Sequence, residues 1–325
     1  MKGMFTQGVV ILTERPVALD ELRPLLPEYP ILRTIEASGE WVFGGPTAVV
    51  AYRRDVNGLV AIDTLDRQWP DGMGDTKNEA MLFGAWAMGQ FGPYTYPQGL
   101  LRATQQAWAW PDAKTIVPRH CGFLRLRTSY VFGTGLDAKV LPPNYDPRHE
   151  LDFLVDLAQC LLRHPAALCY FNPSGEVVAS SKMVEDSVEF HRQHDLPRFD
   201  LWSNVRLFNL TADWLMMDTV GCWQLDMPDH EAAFPKEKFA PNDVAKFLRN
   251  AALYVLRKER EIKDNDTMDG PGDMRWQAVR FADPISDPPR EVFCWIPLGS
   301  QSIPEQVTNR KLATPDQPPP AGRCY

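Results

Sequence analysis

The sequence has no long hydrophobic run. The richest apolar stretch near its start, residues 9–12, is followed at once by Thr13, Glu14, Arg15 and Pro16. A membrane-spanning helix needs roughly 20 apolar residues, and the core of a secretory signal peptide is also longer than this stretch. We therefore expect a cytoplasmic protein that has no contact with a membrane.

The sequence also lacks the motifs of several common catalytic sites. It contains no HExxH metal motif and no GxSxG nucleophile motif, and the Gly133-Thr134-Gly135 turn lacks the third glycine and the following helix of a dinucleotide-binding loop. Its six cysteines are too scattered to form a CxxC pair, so we expect free thiols rather than disulfides or a zinc site. These absences predict no catalytic residue, no metal and no cofactor.

Two segments resemble metal sites only at first sight. His191 and His194 stand three residues apart, but a polar helix end next to Asp195 explains both, and nothing else nearby has ligand spacing. Residues 264–273 are rich in aspartate, but Arg275 occupies the position where a calcium loop needs a bidentate glutamate. We interpret the first segment as a helix end and the second as a turn.

Size and charge restrict the class of partner. The chain has 325 residues, of which 44% are hydrophobic, so it can form a large core or two domains. Its formal net charge is −8, the opposite sign to that required for binding a phosphate backbone. We therefore expect no direct binding to nucleic acid. A moderately acidic surface is compatible with a basic protein partner.

Several strands can be predicted from local patterns. The Asn57-Gly58 dipeptide separates two β-rich runs, which is the strongest short signal for a hairpin. Residues 205–219 predict a second hairpin. A later strand carries Arg125 and Arg127 on one face, where they would meet solvent or a carboxylate.

One helix has a clear start. Asp146 is followed by Pro147, and the aspartate carboxylate can accept the free amides of the first turn while proline loses no hydrogen bond at the first helical position. Glu150 and Asp152 stand near the positive end of the helix dipole. Leucine, valine and alanine then recur at three- and four-residue spacing, which predicts an amphipathic helix.

The two predicted hairpins are followed by similar residues. Asp63-Thr64 in the first and Asp218-Thr219 in the second each precede a tryptophan and then a Pro-Asp pair. We interpret the chain as two degenerate β-α-β-β-α units in an α+β fold, with mixed or antiparallel sheets covered by helices; the alternative is a chance similarity of two hairpins. The predicted divisions are an N-terminal α+β unit over 1–145, a C-terminal α+β unit over 146–297 and a proline-rich flexible tail over 298–325.

Carboxylates and aromatic residues concentrate in the loops that follow the two hairpins. Such a loop can form a docking surface or an acid–base pair, but a capped linker into the next helix is the simpler interpretation. The residues that we expect to contact a partner are Trp69, Asp71 and Asp75 after the first hairpin and Trp223, Asp226 and Asp229 after the second.

An enzymatic site is the alternative interpretation. Asp63 and Asp218 hold equivalent positions after the two hairpins, and an enzyme could assemble its site from carboxylates of both repeats. In the simpler interpretation, both aspartates are hydrogen-bond anchors at strand ends and serve the stability of the fold.

The C-terminal part of the sequence resembles an uncharacterised bacterial family, the domain of unknown function 4261. The resemblance covers residues 254–281 and is carried by the segments 262–268 (IKDNDTM) and 275–279 (RWQAV). Longer proteobacterial proteins with this domain look similar to further parts of the chain, namely residues 81–89, 168–173 and 201–208. The resemblance implies no catalytic residue.

The resemblance also suggests a biological context. Proteins of this kind look like immunity factors that stand beside secreted polymorphic toxins. The resemblance therefore implies a non-enzymatic binding protein that neutralises a toxin delivered by a type VI secretion system, with the cognate toxin or effector as its partner. Two other functions stay open, namely an enzyme of unknown reaction and a secretion-related adaptor whose partner is not toxic.

Overall fold

The computed structural model describes residues 2–37, 43–135, 137–258 and 261–313. These residues form two compact units, which divide between Trp202 and Ser203. The division differs from the predicted boundary after residue 145. The difference arises because the helix that begins at Pro147 packs against strands of the first unit.

The first unit contains a seven-stranded sheet in which neighbouring strands run antiparallel. Its strands are β1 (Gln7–Thr13), β2 (Ile31–Ile35), β3 (Thr47–Arg53), β4 (Gly58–Leu65), β5 (Gly122–Ser129), β6 (Ala167–Asn172) and β7 (Val177–Ala179). Their spatial order is β2-β3-β4-β5-β1-β6-β7. Its helices are α1 (Leu19–Leu22), α2 (Ala80–Ala87), α3 (Gly99–Gln105), α4 (Ala113–Ile116), α5 (Pro147–Leu161), α6 (Ser181–His194) and α7 (Phe199–Trp202).

Helices cover both faces of this sheet. The continuous apolar run of β1 is buried throughout, which is the pattern of a strand enclosed on two sides. Val10 and Leu12 face the residues that connect β4 to β5, a segment we call the β4–β5 insertion (residues 66–121), which contains α2, α3 and α4. Helix α5 packs against β1 and β5. Since Val9 and Ile11 point away from the insertion and are fully buried, α5 covers the opposite face.

The predicted start of α5 is confirmed. The Asp146 carboxylate accepts the amide of Arg148 at 2.9 Å, and Pro147 is the first helical residue. The first predicted hairpin is also confirmed as β3–β4, but its connection is longer than a two-residue turn. Residues 54–56 form a short 3-10 helix, and Asn57 takes the left-handed conformation at a φ of 56°.

The second unit contains a six-stranded mixed sheet. Its strands are β8 (Asn204–Asn209), β9 (Trp214–Val220), β10 (Asp229–Pro235), β11 (Thr267–Gly270), β12 (Met274–Phe281) and β13 (Val292–Pro297). Their spatial order is β11-β12-β13-β10-β9-β8, in which β10 and β13 are parallel and the other pairs are antiparallel. Helix α8 (Pro241–Lys258) lies between β10 and β11 in the chain, and helix α9 (Glu305–Thr308) comes after β13.

The two faces of this second sheet are covered differently. Helix α8 lays an apolar stripe that includes Phe247 and Leu248 on one face, where it meets Trp276 and Trp295. The other face is covered partly by Val307, which lies in the predicted flexible tail and is fully buried. The part of that tail up to residue 313 is therefore folded against the sheet, and residues 314–325 lie outside the described residues.

The α+β class is confirmed, whereas the two β-α-β-β-α units are not. Strand β6, which the repeat would join to the hairpin β8–β9, belongs to the sheet of the first unit. The supposed second unit is therefore divided between two sheets.

In the described part of the chain the cysteines are free thiols, namely Cys121, Cys160, Cys169, Cys222 and Cys294, and Cys324 lies outside it.

Within the described ranges, no helix combines the length and the apolar character that crossing a membrane requires.

Candidate functional site

The Asp63 carboxylate is the centre of a buried charge cluster in the first unit. In the strand register, Asp63 lies between Thr47 of β3 and Arg125 of β5. The Thr47 hydroxyl donates to Oδ1 at 2.7 Å, and Oδ2 accepts from Arg125 Nε at 2.9 Å and from Arg127 Nη2 at 2.6 Å. Burial by itself opposes the charged form, but the attraction of Arg127 and Arg125 outweighs it, so the pKa of Asp63 is lowered.

The same two arginines fasten the β4–β5 insertion to the sheet. The carbonyl of Gln90 accepts from Arg125 Nη1 at 3.2 Å and from Arg127 Nη1 at 3.0 Å. Burial, together with the neighbouring Arg125, lowers the pKa of Arg127 to about 9. Of the two environments predicted for these arginines, solvent or a carboxylate, the structure therefore has the carboxylate.

A second buried cluster surrounds Asp218. Arg206 lies directly opposite on β8 and donates Nε and Nη2 to the carboxylate at 2.9 and 2.6 Å. Arg290, from the loop between β12 and β13, donates Nη2 at 2.6 Å, and the Ser286 hydroxyl donates to the same oxygen. Burial alone would raise the pKa of Asp218, but the attraction of Arg206 and Arg290 lowers it.

Two more buried carboxylates extend this cluster. Asp229 accepts the Thr219 hydroxyl at 2.7 Å and lies 3.4 Å from Arg290 Nε. Glu231 accepts Arg310 Nη1 at 2.8 Å and a backbone amide at residue 285. Burial raises the pKa of Asp229 and of Glu231, and the nearby arginines oppose that rise. The cluster therefore ties the β12–β13 loop and the segment around Arg310 to the sheet.

These contacts limit the chemistry that Asp63 and Asp218 can perform. A general base needs proton affinity near the working pH and access to a substrate. Each of these carboxylates is almost completely buried, accepts from two guanidinium groups and a hydroxyl, and has a lowered pKa. Both therefore act as strand-end anchors in this structure, the simpler of the two predicted roles.

Trp69, predicted as a partner contact, lies in the core. Its side chain is 4% exposed, and its ring contacts four aromatic rings at centroid distances of 5.3 to 6.4 Å, those of Trp86, Phe91, Phe123 and Phe171. Its amide donates to Nε2 of the buried His120 at 2.9 Å. Trp69 is therefore not an exposed anchor, because the aromatic cluster under the insertion encloses it.

Asp71 and Asp75 hold backbone amides. The half-buried Asp71 carboxylate accepts the amides of Leu100 and Leu101, both at 2.9 Å, and so caps the start of α3. Burial raises its pKa, although the two amides oppose this rise. Asp75 is exposed and accepts two amides of the turn that follows it, which lowers its pKa. As surface contacts, both residues stay predictions.

The three candidates after the second hairpin differ in exposure. Trp223 is half-buried in a 3-10 helix, Cys222–Leu225, and Asp226 is exposed at the end of that helix with a φ of 59°. Asp229 is fully buried within the Asp218 cluster, so it cannot reach a partner at the surface. The Asp229 carboxylate lies 3.4 Å from Arg290 Nε and accepts the amide of Cys222 at 3.0 Å, contacts that the loop pattern did not predict. Trp223 and Asp226 stay predictions.

The β4–β5 insertion carries exposed apolar side chains that the sequence analysis did not single out. Met81, Met88, Leu101 and Trp108 are exposed by 47% to 64% of their surface. The helical pattern of residues 78–90 and 97–110 predicts that all four lie on apolar helix faces, but periodicity shows only which residues share a face and not whether anything covers it.

Glu150 is a second feature that the sequence analysis missed. Its side chain is fully buried, and the Thr6 hydroxyl donates to Oε1 at 2.7 Å. Among the described residues, the other oxygen, Oε2, makes no hydrogen bond. Burial raises the pKa of Glu150 to about 7, and the Thr6, Tyr130 and Tyr145 hydroxyls only partly oppose the shift. A signal was present, because Glu150 stands four residues before Leu154 on the buried stripe of α5.

The histidine pair and the aspartate-rich segment have local partners. His191 Nδ1 lies 2.7 Å from the carbonyl of Ser187, and its Nε2 lies 3.3 Å from Asp200. Asp266 accepts the amide of Lys263 at 2.8 Å, as expected in a turn, and Asp264 accepts the more distant amide of Arg280 on β12 at 2.9 Å. Across the ranges that the structure describes, no three histidine, cysteine or acidic side chains are grouped to hold a metal ion.

Comparison with known proteins gives a match for part of the second unit. No curated protein and no solved structure is significantly similar to the chain. The matching family covers the buried residues Asp218, Asp229, Glu231 and Arg290, whereas Arg206 lies before it. Residues 218–296, which include the segment recognised from the sequence, match the family described as domain of unknown function (DUF4261).

Proposed function

We propose that this protein is a non-enzymatic binding protein that neutralises a toxin by direct protein–protein contact. The observation that carries the proposal is the exposed apolar surface of the β4–β5 insertion, where Met81, Met88, Leu101 and Trp108 meet solvent. Large exposed apolar side chains on one segment are typical of interaction sites, and tryptophan is among the residues that contribute most to binding. Methionine adds an adaptable surface that can pack against irregular partners.

Carboxylates accompany this surface on the same insertion. Asp66, Asp75 and Glu79 are exposed in the segment that leads into α2. Charges at the rim of an apolar interface speed association and select the partner more than they add affinity. A partner with basic residues around an apolar centre fits this composition, in agreement with the net charge of −8.

The buried carboxylates favour binding over the alternative of an enzyme. Asp63 and Asp218, the two residues proposed for such an enzyme, lie in different compact units and have lowered pKa values. A carboxylate that holds two guanidinium groups has little tendency to take up a proton at neutral pH. The exposed insertion is therefore the better-supported site of function.

The nature of the partner rests on the family resemblance. Residues 218–296 match DUF4261, a family of unknown function, and the longer proteins that this sequence resembles look like immunity factors. On this basis we place the protein in the cytoplasm, where it binds a toxin or effector delivered by a type VI secretion system. An adaptor would use the same surface but would bind a partner that is not toxic.

The test is rescue of a growth-arresting toxin by co-expression. A tagged form of the protein first isolates secreted-protein partners from the native host, and each partner is then expressed with and without this chain. We expect the wild type to form a stoichiometric complex and to restore growth. Combined Trp108→Ala and Met88→Ala changes should abolish rescue while the melting temperature stays unchanged, because both side chains are exposed.

A matched control comes from α6. Phe190 is 50% exposed on a helix outside the insertion. Phe190→Ala therefore removes an exposed aromatic side chain from another part of the surface and should leave rescue intact. Equal rescue by the double variant and the control would exclude the insertion as the binding surface. A stable partner that does not arrest growth would overturn toxin neutralisation in favour of an adaptor, and the absence of any stable protein partner would overturn the binding function.

A further inference from the structure

One buried carboxyl group holds the residues before β1 in place. The amide of Thr6 donates to the carbonyl of Thr128 at 2.9 Å, and the Thr6 hydroxyl donates to Glu150 Oε1 at 2.7 Å. Nearer the start, Lys2 Nζ lies 4.5 Å from the centre of the Tyr145 ring. The side-chain attachment of this segment to α5 therefore runs through Glu150.

The surroundings of Glu150 differ from those of the other buried carboxylates. Asp63 and Asp218 each accept N–H groups from two arginines. Glu150 is equally buried, but Lys2 is the cation whose charge acts on it, and Lys2 is itself half-exposed. An ionised carboxylate that is buried beside one half-exposed lysine loses its hydration and gains too little electrostatic attraction in return. The protonated form of Glu150 is therefore favoured.

Other charged and titratable groups face the same region from each neighbouring element. They are Lys2 before β1, Tyr52 and Arg53 at the end of β3, Tyr130 after β5, Tyr145 and Asp146 before α5, and His149 within α5. Burial raises the pKa of Tyr52 and of Tyr130, so neither loses its proton near neutrality. His149 Nδ1 lies 3.1 Å from the Tyr52 hydroxyl, so His149 needs its own control.

We propose that Glu150 is a proton-operated latch for residues 2–6. When its carboxyl group is protonated, the segment stays docked on α5 through Thr6. Loss of that single proton to solvent leaves a buried carboxylate, which is relieved when water enters and the segment separates from the helix. The latch therefore opens progressively as the pH rises from acidic values to neutrality. This device is independent of the proposed partner surface on the β4–β5 insertion.

The test is amide hydrogen exchange of the segment at two pH values. The Thr6 amide is hydrogen-bonded when the segment is docked, so its protection, corrected for the intrinsic exchange rate, reports the latch. From about pH 5 to about pH 7 we expect protection to fall on the order of thirtyfold, because the opening equilibrium changes about tenfold per pH unit between the ordinary glutamate pKa of about 4.3 and the raised pKa of the docked form. Glu150→Gln should keep high protection at both pH values, and His149→Gln should behave like the wild type.

A second variant keeps the proposal testable if Glu150→Gln does not fold. Tyr130→Phe removes a hydroxyl that favours the ionised form of Glu150 in the docked segment, so the loss of protection should become larger and continue to higher pH than in the wild type. Protection of the wild type that does not change with pH would overturn the latch. So would a pH dependence that survives Glu150→Gln or disappears in His149→Gln, since either result assigns the titration to another group.

Discussion

Replacement of Asp218 by asparagine tests whether the buried charge cluster stabilises the second unit. Asp218 accepts Arg206 Nη2 and Arg290 Nη2, both at 2.6 Å. At an effective dielectric constant of about 20, the Coulomb attraction of two unit charges this close is roughly 6 kcal/mol, and desolvation offsets much of it. The asparagine variant leaves the buried Arg206 without its counter-charge and Arg290 with Asp229 alone, so we expect the free energy of unfolding to fall by about 3–5 kcal/mol.

Urea unfolding measures this change. The control is Asp213→Asn, in the exposed turn between β8 and β9, which should alter the free energy of unfolding by less than about 0.5 kcal/mol. Circular dichroism and tryptophan fluorescence should both report the loss in Asp218→Asn, and a double variant with Arg206→Met should recover part of it because the guanidinium group that lost its carboxylate is removed. Equal transition midpoints for the Asp218 and Asp213 variants would refute the reasoning.

The pH dependence of stability gives an independent check that the ionised form of Asp218 stabilises the folded protein. The folded pKa of Asp218 is lowered, so the folded protein binds fewer protons than the unfolded chain as pH falls below the ordinary aspartate value of about 3.9. The stabilisation from this residue is therefore complete above that pH and is lost as the pH falls through the folded pKa. Asp218→Asn should show a smaller loss of stability on acidification than the wild type.

Two further predictions concern residues of the β4–β5 insertion. Trp69→Ala should lower the free energy of unfolding by about 3–5 kcal/mol, because it empties the centre of an aromatic cluster, and unchanged urea unfolding would contradict the buried position. Asp71→Ala removes the cap of α3 and should lower the free energy of unfolding by about 1 kcal/mol. Asp75→Ala should change the free energy of unfolding by less than about 0.5 kcal/mol, and equal effects of the two variants in a thermal melt would argue against the capping role.

The elements that the sequence predicted well are those whose signals are local. Asp146 and Pro147 define the start of α5 through contacts within one helical turn, and Asn57 supplies the left-handed residue that closes the first hairpin. The pairing partner of β6 has no local signal, because Ile11 of β1 and Tyr170 of β6, which pair in the sheet, are separated by more than half of the residues of the first unit. Nothing in residues 167–172 alone distinguishes that pairing from the predicted one with the second hairpin.

The site was predictable only in part for a related physical reason. Arginines 125 and 127 were expected to meet solvent or a carboxylate, but the choice depends on which strand lies beside β5. Arg206 was accessible to reasoning, since the register of a hairpin with its turn at 210–213 places it opposite Asp218. Exposure was not accessible, because Trp108 and Trp110 stand two residues apart in the same segment, yet Trp110 is buried and Trp108 meets solvent.

The two Asp-Thr pairs connect the buried charges to the proposed surface. In both sheets, an aspartate on the second strand of a hairpin binds an arginine on the neighbouring strand, and an arginine of that cluster then binds carbonyls of an irregular segment. In the first unit that segment is the insertion, held at Gln90. An arginine that is already committed to a buried carboxylate cannot swing away without exposing both charges, so the insertion is fixed before any partner arrives. A preformed surface loses less conformational entropy on binding than a loop that must first become ordered. In the proposed binding function, the charges in the core hold the exposed Met88 in place through the nearby Gln90 and do not contact the partner themselves.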